Sequence, residues 1–235
     1  MSELRAVIFD FDGVIADSEP LHCAALRQVL ADINIPLTET EYYADYLGFD
    51  DRGCFTAALQ AHRRPLSPAL LAELMEQKAS AYLTAVKQHL VIFPGVREFV
   101  REAAERYKLA IASGALRNEI ELILDEAGLR KAFHHITSAE DVARGKPAPD
   151  PFLHALAGLN RQSNQRALTP GDCLVVEDSL PGIRSARAAG MKVLAVANTH
   201  GVQDLEEADA ITHSLADTRL SELQVRLWGR GQGSA

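Results

Sequence analysis

The sequence predicts an α/β protein: a doubly wound, mostly parallel sheet interrupted once by an all-helical insert. Three observations predict it. From about Phe93 onward, short apolar runs of strand length alternate with segments of helical period, the pattern of right-handed βαβ units that cover a sheet on both faces. An isolated run of the same kind, Ala6 to Phe9, stands near the start. Between the two, Ser18 to about His89 shows only helical periodicity, rich in Ala, Leu, Glu and Gln, with no strand-like alternation.

Taken in order, Ala6 to Phe9 opens the sheet. Strands buried on both faces read as continuous apolar runs, and this one does. The insert follows, with breaks expected at Pro36, Gly48, Gly53, Pro65 and Pro68. The expected division is residues 1–17 and 90–235 as the α/β part and 18–89 as the helical part. The links Val14 to Asp17 and about His89 to Pro94 would form a two-stranded hinge, a geometry suited to a lid that opens and closes; rigid decoration is the plainer alternative. The later strands are expected at Leu109 to Ala112, His135 to Thr137, Leu174 to Val176, Val193 to Val196 and Ala210 to Thr212, with a helix over Ile183 to Ala189. The spaced glycines of the tail, Gly229 to Ala235, follow no strand and open no helix, so they read as a frayed end and not as a dinucleotide loop.

With 235 residues and 47% hydrophobic content, the chain can fill one large domain or a main domain with an insertion. A formal charge of −8 without a dense Lys/Arg run argues against nucleic acid or an acidic membrane surface as a partner. No apolar run approaches the roughly 20 residues a membrane span needs, and Glu3 with Asp10 spoils a signal-peptide pattern. A cytoplasmic protein, monomeric by default, is the expectation. Cys23, Cys54 and Cys173 are odd in number, far apart and without zinc spacing, and so read as small buried hydrophobes.

The chemistry concentrates at strand ends. Val7 to Phe9 leads into Asp10-Phe11-Asp12-Gly13, and residues i and i+2 of an extended chain point the same way. The carboxyl end of a parallel strand is where such sheets bind ligands, so the two acids would share one crevice; an Asp-Gly hairpin turn is the plainer alternative. Leu174-Val175-Val176-Glu177-Asp178 repeats the pattern, although two acids there could also serve as helix caps. If the two strands are neighbours, each pair of like charges at about 4 Å costs about 4 kcal/mol at an effective dielectric near 20. A hard cation is then needed, and Mg²⁺ suits oxygen ligands while keeping positions open for water and phosphate. Ser113-Gly114 after a third strand offers a hydroxyl and backbone N–H groups for a phosphate, or an ordinary turn. In Gly145-Lys146-Pro147-Ala148-Pro149-Asp150-Pro151, three prolines stiffen a loop around one lysine, a rigid point charge for a phosphate or a solvated side chain. Pro147 excludes a nucleotide P-loop.

In their order, Asp10-x-Asp12-Gly13-Val14, Ser113-Gly114, Lys146-Pro147 and Glu177-Asp178 resemble the four motifs of the haloacid dehalogenase superfamily of aspartyl-phosphate phosphotransferases. The likeness runs from about residue 3 to 215. The insert resembles the cap of the branch that contains β-phosphoglucomutase, phosphoglycolate phosphatase and sugar-phosphate phosphatases, and Asp17 to His22 and Phe93 to Val96 are similar to its cap borders. The resemblance implies a Rossmann-like core with a helical cap. It implies Asp10 as nucleophile and Asp12 as general acid and base with a raised pKa. Mg²⁺ would be held by Asp10, Asp178, the Asp12 carbonyl and Glu177. Ser113, Gly114 and Lys146 would bind the phosphoryl group, and His22, Arg52, Arg117 and Asn118 would contact substrate.

The activity implied is Mg²⁺-dependent hydrolysis of a small phosphorylated metabolite. A phosphosugar mutase is the alternative, and a phosphate-responsive module without catalysis is a second. The mutase carries a cap lysine before a glycine where this chain reads Leu47-Gly48, which favours the phosphatase; His22, shared with the mutase, keeps the alternative open. A dehalogenase needs no metal. A phosphonate hydrolase relies on a cap lysine amine, and nothing in the sequence of the insert singles one out.

Overall fold

A computed structural model describes residues 2–47, 49–161 and 166–229. In chain order its main elements are β1 (Ala6–Phe9), α1 (Glu19–Asp32), α2 (Glu39–Asp45), α3 (Asp51–Ala61), α4 (Pro68–His89), α5 (Val96–Arg106), β2 (Lys108–Ala112), α6 (Arg117–Glu126), β3 (His135–Thr137), α7 (Asp150–Arg161), β4 (Cys173–Glu177), α8 (Leu180–Ala188), β5 (Lys192–Val196), β6 (Ala210–Thr212) and α9 (Leu220–Trp228). The chain divides into two units, Met1–Asp17 with Val91–Ala235, and Ser18–Leu90.

The first unit holds a six-stranded sheet in the order β3-β2-β1-β4-β5-β6, every pairing parallel. Strand β1 explains why it lies at the centre. All four of its residues are fully buried, and alternate side chains enter different cores. Ile8 belongs to a cluster with Ala110, Phe152, Val175, Ile183 and Val193. Phe9 meets Phe99 and Phe133 edge-on at centroid distances of 6.0 and 5.7 Å. A strand apolar on both sides needs cover on both faces, as a doubly wound sheet provides. Truncating Ile8 to Ala would cost about 2–5 kcal/mol.

Several boundaries differ from the expected ones. Strand β4 runs from Cys173 through Glu177, so Glu177 is a strand residue and not part of the loop beyond. Helix α8 starts at Leu180, before the expected Ile183, because the Ser179 side chain accepts the Gly182 N–H and Pro181 fits the first turn. The tail beyond Gly229 and Gly48 lie outside the described residues. The links between the units are hydrogen-bonded to each other: Ala16 bridges Ile92 antiparallel, the Asp17 N–H donates to Val91 O at 3.0 Å, and the Phe93 N–H donates to Ile15 O at 3.2 Å.

Among the described residues, the second unit has four helices around Leu26, Leu30, Phe55, Leu59 and Leu74. Side chains cap the starts of α2 and α4: Thr38 and Glu41 form a capping box for α2, and Ser67 accepts the Leu70 N–H to open α4. Gly53 does not break a helix as expected. It lies in the first turn of α3, its N–H donating to the Asp50 side chain at 2.7 Å. Pro68 marks a break as expected, standing at the first position of α4 after the loop that follows α3. The three cysteines are free and buried. No helix among the described residues is long and apolar enough to cross a membrane.

Candidate active site

Strand β1 pairs with β2 on one side and β4 on the other, and the chain reaches its two neighbours through separate crossovers. The carboxyl end of such a central strand is the switch point of a doubly wound sheet. Phe9 pairs with Val176, and the Asp10 N–H donates to Val176 O at 2.9 Å. Asp10 therefore leaves the sheet beside Glu177 and Asp178. Carboxylate oxygens of these three buried residues lie within 4.8 Å of one another.

Lys146 comes in from the loop before α7. Its ammonium stands 2.6 Å from Asp10 Oδ1 and 2.7 Å from Glu177 Oε1, and 5.2 Å from the centre of the Phe152 ring. The other Glu177 oxygen, Oε2, accepts the N–H groups of Asp178 and Ser179 at 2.8 and 2.9 Å and the Ser179 hydroxyl at 2.9 Å. Both oxygens of Glu177 are thus engaged within the protein. The Thr199 hydroxyl donates to Asp178 Oδ2.

Two glycines make this packing possible. Gly13 has φ +77°, and a Cβ there would overlap the Asp178 carboxyl group. At Gly182, a Cβ would overlap the carboxyl group of Glu177. The first glycine is needed for its backbone as well as its size; the second is needed for its size.

The electrostatics follow from burial and charge. Desolvation raises the Asp10 carboxyl well above the usual carboxylate range, against the pull of Lys146 and with the push of Glu177 and Asp178. Burial and Glu177 raise Asp178 to about 6. Burial alone would raise Glu177 too, but the Lys146 ammonium and the hydrogen bonds from Ser179 outweigh it and hold the group below its ordinary value. Burial would lower Lys146, and its two acidic partners raise it instead. With all three carboxyl groups ionised, the one ammonium would leave two negative charges unmatched at one point. That balance and the all-oxygen donor set fit a Mg²⁺ ion.

The other expected residues are placed unevenly. Asp12 is half-buried, in a tight turn where its backbone bridges Ala16 and the Gly13 N–H donates to Ala16 O at 3.0 Å. Ser113 is buried at the end of β2, its N–H donating to Thr137 O and its Oγ accepting the Ala115 N–H, both at 3.0 Å. Gly114 is exposed and has open space where a side chain would stand. Arg117, expected at a substrate, donates instead to Asp141 Oδ2 at 2.5 Å and Ile136 O at 3.1 Å. Asn118 and Arg52 are exposed helix residues.

His22 belongs to a cluster inside the helical unit. Its Nδ1 lies 2.6 Å from Lys78 Nζ, which is also 2.6 Å from Asp51 Oδ1, and its ring stacks on Tyr82 at 4.1 Å. Lys78 is only 2% exposed. Burial and the Lys78 charge push His22 down to about 3, so the ring is neutral and Nδ1 accepts from the ammonium. The structure therefore singles out a lysine in the insert, which the sequence alone did not. A lysine in a stretch rich in Glu and Gln carries no signal of burial.

Asn198, Thr199 and His200, after β5, were also missed. Asn198 Nδ2 donates to Gly13 O at 2.8 Å, which ties this loop to the turn that follows Asp10. The available signal was the polar Asn-Thr-His triplet that follows the Val193–Val196 run after one alanine, Ala197, at the same end of its strand as the motifs of the other strands.

A family model described as haloacid dehalogenase-like hydrolase matches residues 7–196. The protein CbbY of Rhodobacter capsulatus is 32% identical over 236 residues, covering 95% of each chain. Hexitol phosphatase B of Escherichia coli K12 is 29% identical over 222 residues, covering 94% of this chain and 93% of its own. The crystal structure of β-phosphoglucomutase from Clostridium difficile superposes with a TM-score of 0.77 over 95% of this chain and 97% of its own. At 22% identity, that likeness speaks to the fold.

Proposed function

Because the chain belongs to the haloacid dehalogenase-like hydrolase family, we propose that it is a Mg²⁺-dependent phosphatase of a small phosphorylated sugar or similar metabolite, acting through a phosphoaspartate on Asp10. The observation that carries this reading is the Lys146 ammonium held 2.6 Å from Asp10 Oδ1 within a cluster of three buried carboxyl groups. The sugar class rests on relatives such as hexitol phosphatase B.

In the first step the Asp10 carboxylate attacks phosphorus while the ester oxygen leaves, and Asp12 gives that oxygen its proton. In the second, Asp12 takes a proton from water, the water attacks phosphorus, and phosphate leaves as Asp10 is regenerated. One difficult displacement becomes two easier ones. Lys146 and the Ser113 hydroxyl hold the equatorial oxygens, where transition-state charge collects. Mg²⁺, held by Asp10, Asp178 and the Asp12 carbonyl, would neutralise phosphoryl charge. Glu177, with both oxygens already engaged, anchors Lys146. Residues 18–89 are assigned the selection of the leaving group, with His22 and Arg52 as candidates for its contacts.

The test is phosphate release from a panel of phosphorylated sugars, hexitols and glycolate, with Mg²⁺ or with chelator, in wild type and in Asp10→Asn. Release that needs Mg²⁺ and vanishes in the variant is expected. Isomerised sugar phosphate without net release would establish the mutase instead, and phosphate binding without turnover a non-catalytic module. Asp12→Asn should bind Mg²⁺ and turn over at least about 100-fold more slowly. A normal rate at saturating Mg²⁺ would remove Asp12 from its role.

A further inference from the structure

The loop after β5 contains a hydrogen-bond chain whose direction can be deduced atom by atom. His200 Nδ1 lies 3.0 Å from the backbone oxygen of Asp178. A carbonyl oxygen only accepts, so Nδ1 carries the hydrogen. The same Nδ1 lies 2.9 Å from Thr199 Oγ1, and the threonine oxygen is therefore an acceptor there. The one hydrogen of that hydroxyl is left for Asp178 Oδ2, its other partner. Asn198 holds the loop in place by donating to Gly13 O at 2.8 Å. The Thr199 methyl group lies where a side chain on Gly13 would meet it at 3.1 Å.

We infer that Thr199, oriented by His200, is a positioning residue that fixes the Asp178 carboxylate for Mg²⁺. The inference rests on the proposed role of Asp178 as a ligand of that ion. One oxygen of Asp178, Oδ2, is committed to the threonine, so the carboxylate cannot rotate freely within the cluster it forms with Asp10 and Glu177. Groups that orient a metal ligand in this way typically contribute 10- to 100-fold to metal affinity. Because Thr199 and His200 are exposed, a water can partly replace the hydroxyl, which places the expected effect at the lower end.

The experiment is a calorimetric titration of purified protein with Mg²⁺ alone, in wild type, Thr199→Val and Thr199→Ser, beside the melting temperature of each without metal. Valine keeps the shape and removes the hydroxyl; serine keeps the hydroxyl. Thr199→Val should bind Mg²⁺ about tenfold more weakly, Thr199→Ser should bind it within about threefold of wild type, and kcat at saturating Mg²⁺ should stay within about threefold for both. Wild-type Mg²⁺ affinity in Thr199→Val, or a loss in Thr199→Ser equal to that in Thr199→Val, overturns the inference alone. A wild type that binds no Mg²⁺ overturns the phosphatase reading and this inference with it.

Discussion

Lys146 Nζ stands 2.6 Å from Asp10 Oδ1, and the same ammonium reaches Glu177 at 2.7 Å. One cation therefore sits between two buried carboxyl groups and pulls each toward its ionised form against the push of burial. Replacing it with Met keeps the bulk and removes the charge. Breaking a buried pair in this way costs about 3–5 kcal/mol, and at about 2–4 °C per kcal/mol for a chain of this size the metal-free melting temperature of Lys146→Met should drop by roughly 6–20 °C. Mg²⁺ should recover part of the drop, since the ion supplies positive charge to the same carboxylates. Scanning calorimetry with and without Mg²⁺ checks both statements.

Gly13→Ala is the smallest change that should abolish metal binding. The positive φ is strained for any residue with a Cβ, and the added methyl group collides with the Asp178 carboxyl. The turn is exposed to rearrangement while the sheet below it is not, so the far-UV circular dichroism should match wild type. Isothermal titration should find Mg²⁺ affinity reduced by at least about 100-fold; a decrease under about threefold would mean that the turn accommodates the methyl group.

The raised carboxyls predict an unusual pH dependence for the metal-free protein. Asp178 moves from 3.8 to about 6 in the folded state, chiefly through burial. Between those values the folded form holds more protons than the unfolded one, so this group's contribution to stability is complete below about pH 4 and is lost as the pH rises through about 6. Asp10, also raised, acts in the same direction. The melting temperature of wild type relative to Asp178→Asn should therefore fall across that window without Mg²⁺, and the fall should shrink when Mg²⁺ is present. A difference that rises with pH in the absence of metal would contradict the cause assigned here.

His22 predicts the opposite slope in the helical unit. Its folded value of about 3 lies below the ordinary 6.5, through burial first and the Lys78 charge second. Its contribution is present above about pH 6.5 and is lost as the pH falls toward 3, because the unfolded chain takes up the proton that the folded ring refuses. His22→Gln retains an acceptor for Lys78 without a titrating ring. Acid titration of melting temperature should show a shallower decline in that variant than in wild type between about pH 6 and 4.

The central strands were legible because both of their sides are buried, which leaves short uninterrupted apolar runs, and their alternation with longer helical segments marks them as strands. Their ends were less so. Glu177 reads as the start of a loop because it is charged, but the partners of its carboxylate, Lys146 and the Ser179 hydroxyl and N–H, let it remain the last strand residue. Gly53 reads as a breaker, and the cap from Asp50 at 2.7 Å makes it part of a helix. The meeting of Asp10, Lys146, Glu177 and Asp178 was legible as repeated acids after apolar runs. The engagement of Arg117 with Asp141 was not, because an exposed arginine near a motif looks the same whether its partner is a ligand or a neighbouring loop. Lys78 was hidden for a related reason: its partners Asp51 and His22 lie on other helices, and only tertiary packing brings a lysine into their reach.

The placement of β1 between β2 and β4 also bears on how the chain is made. During synthesis the first strand emerges long before β4, so its Ala-Val-Ile-Phe backbone edge stays unpaired on one side until most of the protein has left the ribosome. An apolar, unpaired edge is a template for association with other chains. Nascent or truncated forms ending before Cys173 should accordingly aggregate or recruit chaperones, and hydrolytic competence cannot precede the arrival of that late strand.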